Sequence, residues 1–152
     1  MFIFTARRLS AYPDYRHMAA GHPQKQEHDA FLESFLIHTR VLDEFFRERR
    51  KYKTDVIAAD VVAGFRLDPD EVPPPLNGLL RTQIDRQLAH ATDGRSGKQP
   101  FPIRAMVHDM LMVINQFLWR LPDQADGVAV HELRLEVLKL LSDDRIVDVD
   151  GS

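Results

Sequence analysis

Residues 103 to 121 carry the pattern that most constrains the fold of this chain. Apolar side chains recur there at a strict spacing of three and four residues until Pro122: Ile103, Met106, Val107, Met110, Ile114, Phe117, Leu118 and Leu121. That period places them on one face of an α-helix. Because an apolar face must be covered by other elements, the pattern predicts a long helix inside a helical domain.

A second long helix is predicted from about Gln24 to Lys51, a stretch with no proline or glycine. At 1.5 Å per residue it would be about 40 Å long, enough to set the height of a bundle. Cations follow at its end, where they complement the helix dipole.

Shorter helical patterns complete the prediction of the fold. They cover Tyr15–Ala20, Val56–Ala63, Leu76–Ala91 and Val128–Leu141. We therefore predict an all-α, up-and-down bundle of four to five helices. It forms a single domain over residues 1–152, with residues 1–24 and 143–152 peripheral or partly ordered. Only Arg145–Val149 could pair as a strand, and nothing favours a sheet before it.

Composition narrows the classes of function. The net charge of −3 gives no general nucleic-acid signal, and no apolar run is long enough to span a membrane. The chain has no cysteine, which excludes disulfides and thiolate metal sites and suits a reducing compartment. Its first residues place apolar side chains before charged ones, the reverse of a secretory signal. We expect a cytoplasmic protein.

A polar cluster surrounds His38, which lies on an apolar helical stripe. Glu33, Arg40 and Asp43 lie on adjoining faces, where Glu33 could pair with Arg40, and Asp43 with Arg47 at the i, i+4 spacing. An unpaired buried polar group costs about 1–3 kcal/mol, so these groups need partners. The cluster is either a structural hydrogen-bond network or a working site.

Arg86 and His90 form a second candidate site, four residues apart on one helix face. A guanidinium can hold a phosphate while an imidazole transfers a proton, which is the chemistry of a metal-free ribonuclease. The alternative is a solvated arginine and a histidine bonded to a neighbouring helix.

Basic residues offer a possible RNA-binding face. Five cations fall between Arg47 and Lys53, and Arg81, Arg86, Arg95 and Lys98 could extend them. The alternative is a solvated helix end.

A metal centre would need ligands from several helices, such as His38, His90 and His108. No two of the seven histidines are three or four residues apart, the spacing that helical metal sites use. The chain also lacks a phosphate-binding glycine loop and a nucleophile elbow. We therefore predict no cofactor and no metal.

Three segments resemble a group of uncharacterised bacterial proteins: 31–46, 55–61 and 84–92. The shared motifs are Glu-Ser-Phe-Leu-x-His-x-Arg, here residues 33–40, and Gln-Leu-Ala-His, here residues 87–90. In layout the group is similar to HEPN domains, helical and often dimeric proteins of toxin–antitoxin, phage-defence and RNA-processing systems. Many are metal-independent ribonucleases with an Arg and a His separated by roughly four to six residues. Here only three residues separate Arg86 from His90.

The resemblance implies a HEPN-like homodimer that binds or cleaves RNA. Arg86 would hold phosphate, His90 would act as acid–base or binding group, and His38 with Arg40 would support them. Candidate partners are RNA, a second copy and an antitoxin or other protein. The alternative hypothesis is a non-enzymatic interaction module with a structural His/Arg cluster, and a third is a metal-dependent bundle enzyme.

Overall fold

The computed structural model describes residues 1–10, 21–47, 52–67, 78–89, 101–125 and 127–143. Helices dominate this part of the chain, in the order α1 (Phe2–Ser10), α2 (Pro23–Phe46), α3 (Ala58–Val61), α4 (Gly78–Ala89), α5 (Ile103–Leu118) and α6 (Val130–Leu141). Two short antiparallel strands, β1 (Gln124–Ala125) and β2 (Val128–Ala129), lie between α5 and α6. The predicted all-α class is confirmed, whereas the HEPN-like arrangement stays a prediction.

The core lies where α5 packs against the aromatic end of α2. Met106, Val107 and Met110 of α5 are buried, as the three–four spacing predicts. Val113, which is not on the predicted stripe, is also fully buried, whereas Ile114, which is on it, is only half-buried. Phe117, further along the same face, meets Phe46 of α2 edge to face at 5.7 Å between ring centroids. The predicted helix from residue 103 is therefore confirmed as a core element, and it ends at Leu118.

Helix α1 contributes to this core, a role that the sequence pattern did not indicate. Its Phe2 ring stacks on Phe35 of α2 at 5.0 Å between centroids. At the surface of the same contact, Arg8 pairs with Glu27 at 3.3 Å. The short helix predicted over Tyr15–Ala20 lies outside the described residues, as does the strand predicted over Arg145–Val149.

Helix α2 ends at Phe46, five residues before the predicted end at Lys51. Arg47 adopts an extended conformation, with φ −75° and ψ 148°, and its backbone N–H donates to the Asp43 carbonyl as a cap. The following turn of helix, α3, is shorter than the predicted Val56–Ala63. The chain then turns at Gly64, whose φ of 74° is in the left-handed region that glycine tolerates.

The β1–β2 hairpin corrects the expectation that no sheet precedes residue 145. Gln124 lies opposite Ala129, and Ala125 lies opposite Val128. Two-residue strands are too short to show an alternating pattern. Gly127, with φ 78°, supplies the turn residue beside them. Helix α6 consequently begins at Val130 rather than at the predicted Val128.

Candidate functional site

Three of the four predicted site residues lie on α2 or α4, which pack against each other. His38 and Arg40 lie on α2, and Arg86 is exposed in the last turn of α4. His90 lies outside the described residues. The predicted pairing of Arg86 with His90 therefore stays a prediction.

His38 is half-buried and held by its own helix. Its Nδ1 lies 2.5 Å from the Ser34 carbonyl oxygen, one turn earlier. Because a carbonyl can only accept, Nδ1 donates this hydrogen bond. This bond orients the imidazole within α2.

Six charged side chains form the contact that α2 makes with α4, and we call them the α2–α4 charge cluster. They are Arg40, Asp43, Glu44, Arg47, Arg81 and Asp85. Three guanidinium groups meet three carboxylates, so the formal charges of the cluster balance.

Arg81 is the centre of the cluster, because each of its nitrogens meets a different carboxylate. Its Nη1 donates to Asp43, and its Nη2 donates to Glu44 at 2.8 Å. Its Nε lies 3.1 Å from Asp85 on its own helix. Planar guanidinium suits such multiple recognition of carboxylates. Arg81, which the sequence placed on a possible RNA-binding face, is instead occupied within the protein.

Asp43 is the buried member of the cluster, with its side chain 1% exposed. Its Oδ2 accepts hydrogen bonds from Arg81 and, at 2.8 Å, from Nε of Arg47. The Arg47 bond confirms the predicted i, i+4 pair. Oδ1 is buried and has no hydrogen-bond partner among the described residues. The negative charge of Asp43 is therefore balanced by two arginines that both donate to Oδ2.

The pKa shifts in the cluster favour the charged forms. Partial burial by itself would raise the pKa of Glu44, but hydrogen bonds from Arg40 and Arg81 outweigh it and hold that pKa below its ordinary value. Burial likewise opposes the charge of Arg81, yet Asp43 and Glu44 raise its pKa further. Both groups remain ionised in the folded protein at neutral pH.

Arg40 belongs to the outer part of the cluster. Its Nε donates to Glu44 at 3.2 Å and lies 3.7 Å from Asp85 on α4. The sequence suggested Glu33 as its partner, two helical turns away. Its carboxylate partners are instead Glu44, one turn further along α2, and Asp85 of α4.

The sequence alone predicts only part of this cluster. The spacing of Arg81 and Asp85, four residues apart, is that of an ion pair within a helix. Their meeting with Asp43 and Glu44 depends on how α4 packs against α2, which no local pattern encodes. The predicted cations 49–51 lie outside the described residues.

Arg134 of α6 forms a second polar contact, at the end of α5. Its Nε donates to the Leu118 carbonyl at 3.0 Å, and its Nη2 donates to the Leu121 carbonyl. Its Nη1 donates to Asp123 at 2.6 Å. The guanidinium thus joins α6 to the end of α5, where the Leu118 carbonyl also accepts a hydrogen bond from the Leu121 N–H.

Trp119 covers this contact from outside, with the Arg134 guanidinium 4.9 Å from its ring centroid. The indole is 58% exposed. Trp119 is absent from the apolar stripe that predicts this helix.

The described residues also bear on metal binding and on membrane insertion. Across the described ranges, no three His, Asp or Glu side chains are grouped as metal ligands. His108 lies on the surface beside Asp109, at 3.3 Å from its carboxylate. None of the helices in this part of the chain is long and apolar enough to span a membrane.

Comparisons with protein-family models, curated proteins and solved structures find no match to this chain.

Proposed function

We propose that the protein is a non-enzymatic protein-interaction module in which the α2–α4 charge cluster is structural. The observation that carries the proposal is that Arg81 and Arg40 already form ion pairs within the protein. Their guanidinium groups meet Asp43, Glu44 and Asp85, so they are not available to hold a phosphate. His38, bonded to the Ser34 carbonyl, is likewise fixed within α2.

The exposed apolar side chains near α6 support the interaction part of the proposal. Several large ones lie on α6 or on the segment that leads into it: Trp119, Val128, Leu133, Leu135 and Leu138. Of these, Leu135 and Leu138 are neighbours on one helix face, and exposed apolar groups that adjoin one another are typical of partner-binding surfaces.

The second candidate function is HEPN-like RNA binding or metal-independent RNA cleavage, in a defence or toxin–antitoxin context. It is favoured by Arg86, which is exposed at the end of α4 and forms no ion pair with the described residues. In this reading Arg86 holds phosphate, His90 transfers the proton, and His38 with Arg40 supports them.

Degradation of mixed cellular RNA by the purified protein in excess EDTA separates the two functions. The interaction module predicts no cleavage by the wild type and none by R86A or H90A. Cleavage by the wild type that is lost in both folded variants would overturn the proposal and establish a metal-independent ribonuclease. Cleavage that appears only after a divalent metal is added would also overturn it, in favour of a metal-dependent enzyme.

A further inference from the structure

The outer face of α6 carries two leucines that remain in water. Leu135 and Leu138 are 65% and 42% exposed. They are three residues apart, so they are neighbours on one face of the helix. Val130 and Val137 are buried on a different face of the same helix.

Charges of opposite sign border this leucine pair along one edge. Glu132 precedes Leu135 by three residues, and Lys139 follows it by four, so both lie beside it. They are seven residues apart, two helical turns, and share that edge. Both side chains are exposed, and neither forms an ion pair with the part of the chain that the structure describes.

Two copies of this edge are complementary in charge when their helices run in opposite directions. A two-fold axis level with Glu136 brings the first turn of one α6 opposite the last turn of the other. Glu132 then faces Lys139 of the partner subunit, and Lys139 faces Glu132 of the partner subunit. Leu135 packs against Leu138 of the partner subunit between these two pairs. A two-fold interface requires this kind of self-complementary patch.

We propose that a second copy of this chain binds this face, through antiparallel pairing of α6 with α6. The inference names the partner of the interaction module and therefore rests on the proposed function. Each copy contributes the same two leucines and the same two charges. RNA is a poor fit to this face, because Glu132 offsets the charge of Lys139 along its edge.

The size of the surface sets the expected strength of the dimer. Helix α6 has 12 residues, which at 1.5 Å per residue is about 18 Å. A helix pair of that length buries less than the roughly 1,600 Å² of a standard interface. We therefore expect a micromolar dissociation constant and an assembly that depends on concentration.

Sedimentation equilibrium of the full chain tests the apolar part of the interface. The wild type should pass from monomer to dimer between about 1 µM and about 200 µM, a range that brackets micromolar affinity. L135E should weaken the dimer at least about tenfold, because it places a charge against Leu138 of the partner subunit. The matched control is L79E, since Leu79 is 91% exposed on α4, away from this face, and it should leave the constant unchanged.

A charge exchange tests the antiparallel register. E132K and K139E should each weaken self-association, because each places like charges opposite one another. Mixing the two variants should restore a dimer, because every pair in the mixed dimer is then of opposite sign. The E132K/K139E double variant should dimerise like the wild type.

Three results would overturn the proposal: a wild type that stays monomeric over the whole range, a dimer that L135E does not weaken more than L79E does, and single charge variants that fail to recombine. None of these results concerns RNA cleavage, so failure of the dimer is distinguishable from failure of the proposed function. Far-ultraviolet circular dichroism at the lowest concentration establishes that each variant is folded.

Discussion

Asp43 and Arg134 are both buried charges that join two helices, but they are compensated in different ways. Asp43, on α2, meets the guanidinium groups of Arg81 and Arg47. Arg134, on α6, meets two backbone carbonyls and the exposed Asp123. Loss of Arg81 leaves the buried Asp43 carboxylate with Arg47 as its one remaining arginine among the described residues, whereas loss of Arg134 removes one hydrogen-bond donor from each of two neutral backbone carbonyls. The comparison predicts that the contact of α2 with α4 is the more sensitive to substitution.

The largest effect is expected at Arg81. R81M removes a guanidinium that compensates buried Asp43 and should lower the free energy of unfolding by about 3 kcal/mol. The matched control is R86M, on the same helix, which should change it by less than about 0.5 kcal/mol because Arg86 is exposed. Urea unfolding measures both. Equal effects of the two substitutions would remove the basis for treating the cluster as structural.

A smaller loss is expected at Arg134. R134M removes the hydrogen bonds that Arg134 donates to the Leu118 and Leu121 carbonyls and should cost about 2 kcal/mol, at about 1 kcal/mol for each bond. The control is R120M, since Arg120 is exposed beside the same end of α5. Thermal unfolding of the two variants would contradict the account if R120M were as destabilising as R134M.

A pH-dependent change in stability is expected from His28, a buried residue of α2 outside both contacts. Burial lowers its pKa below the ordinary value of 6.5, despite the opposing effect of nearby Asp29. Between the folded pKa and 6.5 the unfolded chain binds more protons, so stability rises with pH and falls as the pH drops below 6.5.

Unfolding curves between about pH 7.5 and about pH 5 measure this dependence, whose slope cannot exceed about 1.4 kcal/mol per pH unit for one proton. H28Q should flatten the curve in that window, whereas H108Q, at an exposed position, should not. An unchanged slope in H28Q would show that another group sets the pH dependence.

The smallest effect is expected at the outer edge of the cluster. Arg40 and Glu44 form an i, i+4 pair whose side chains are 37% and 47% exposed. Exposed pairs of this kind contribute less than about 0.5 kcal/mol. R40Q should therefore unfold at nearly the wild-type urea concentration. A loss as large as that of R81M would contradict the distinction between the buried and exposed parts of the cluster.

Local sequence patterns predicted the helices more successfully than their contacts. The spacing from Ile103 onward identified α5, and the i, i+4 rule identified the Asp43–Arg47 pair. The count of basic residues offered Arg81 for a possible RNA-binding face, because neither charge nor spacing tells which helix packs beside it. Burial of Phe2 against Phe35 was missed for the same reason. The β1–β2 hairpin was too short to leave a pattern.

The most direct test of the account is a double-mutant cycle between Asp43 and Arg81. D43N, R81M and the double variant give the coupling free energy of this pair by urea unfolding, and R40Q with E44Q gives that of the exposed pair. The account predicts a coupling above about 1.5 kcal/mol for the buried pair and below about 0.5 kcal/mol for the exposed one. A buried-pair coupling no larger than the exposed one would contradict the claim that Arg81 is committed to holding α4 against α2.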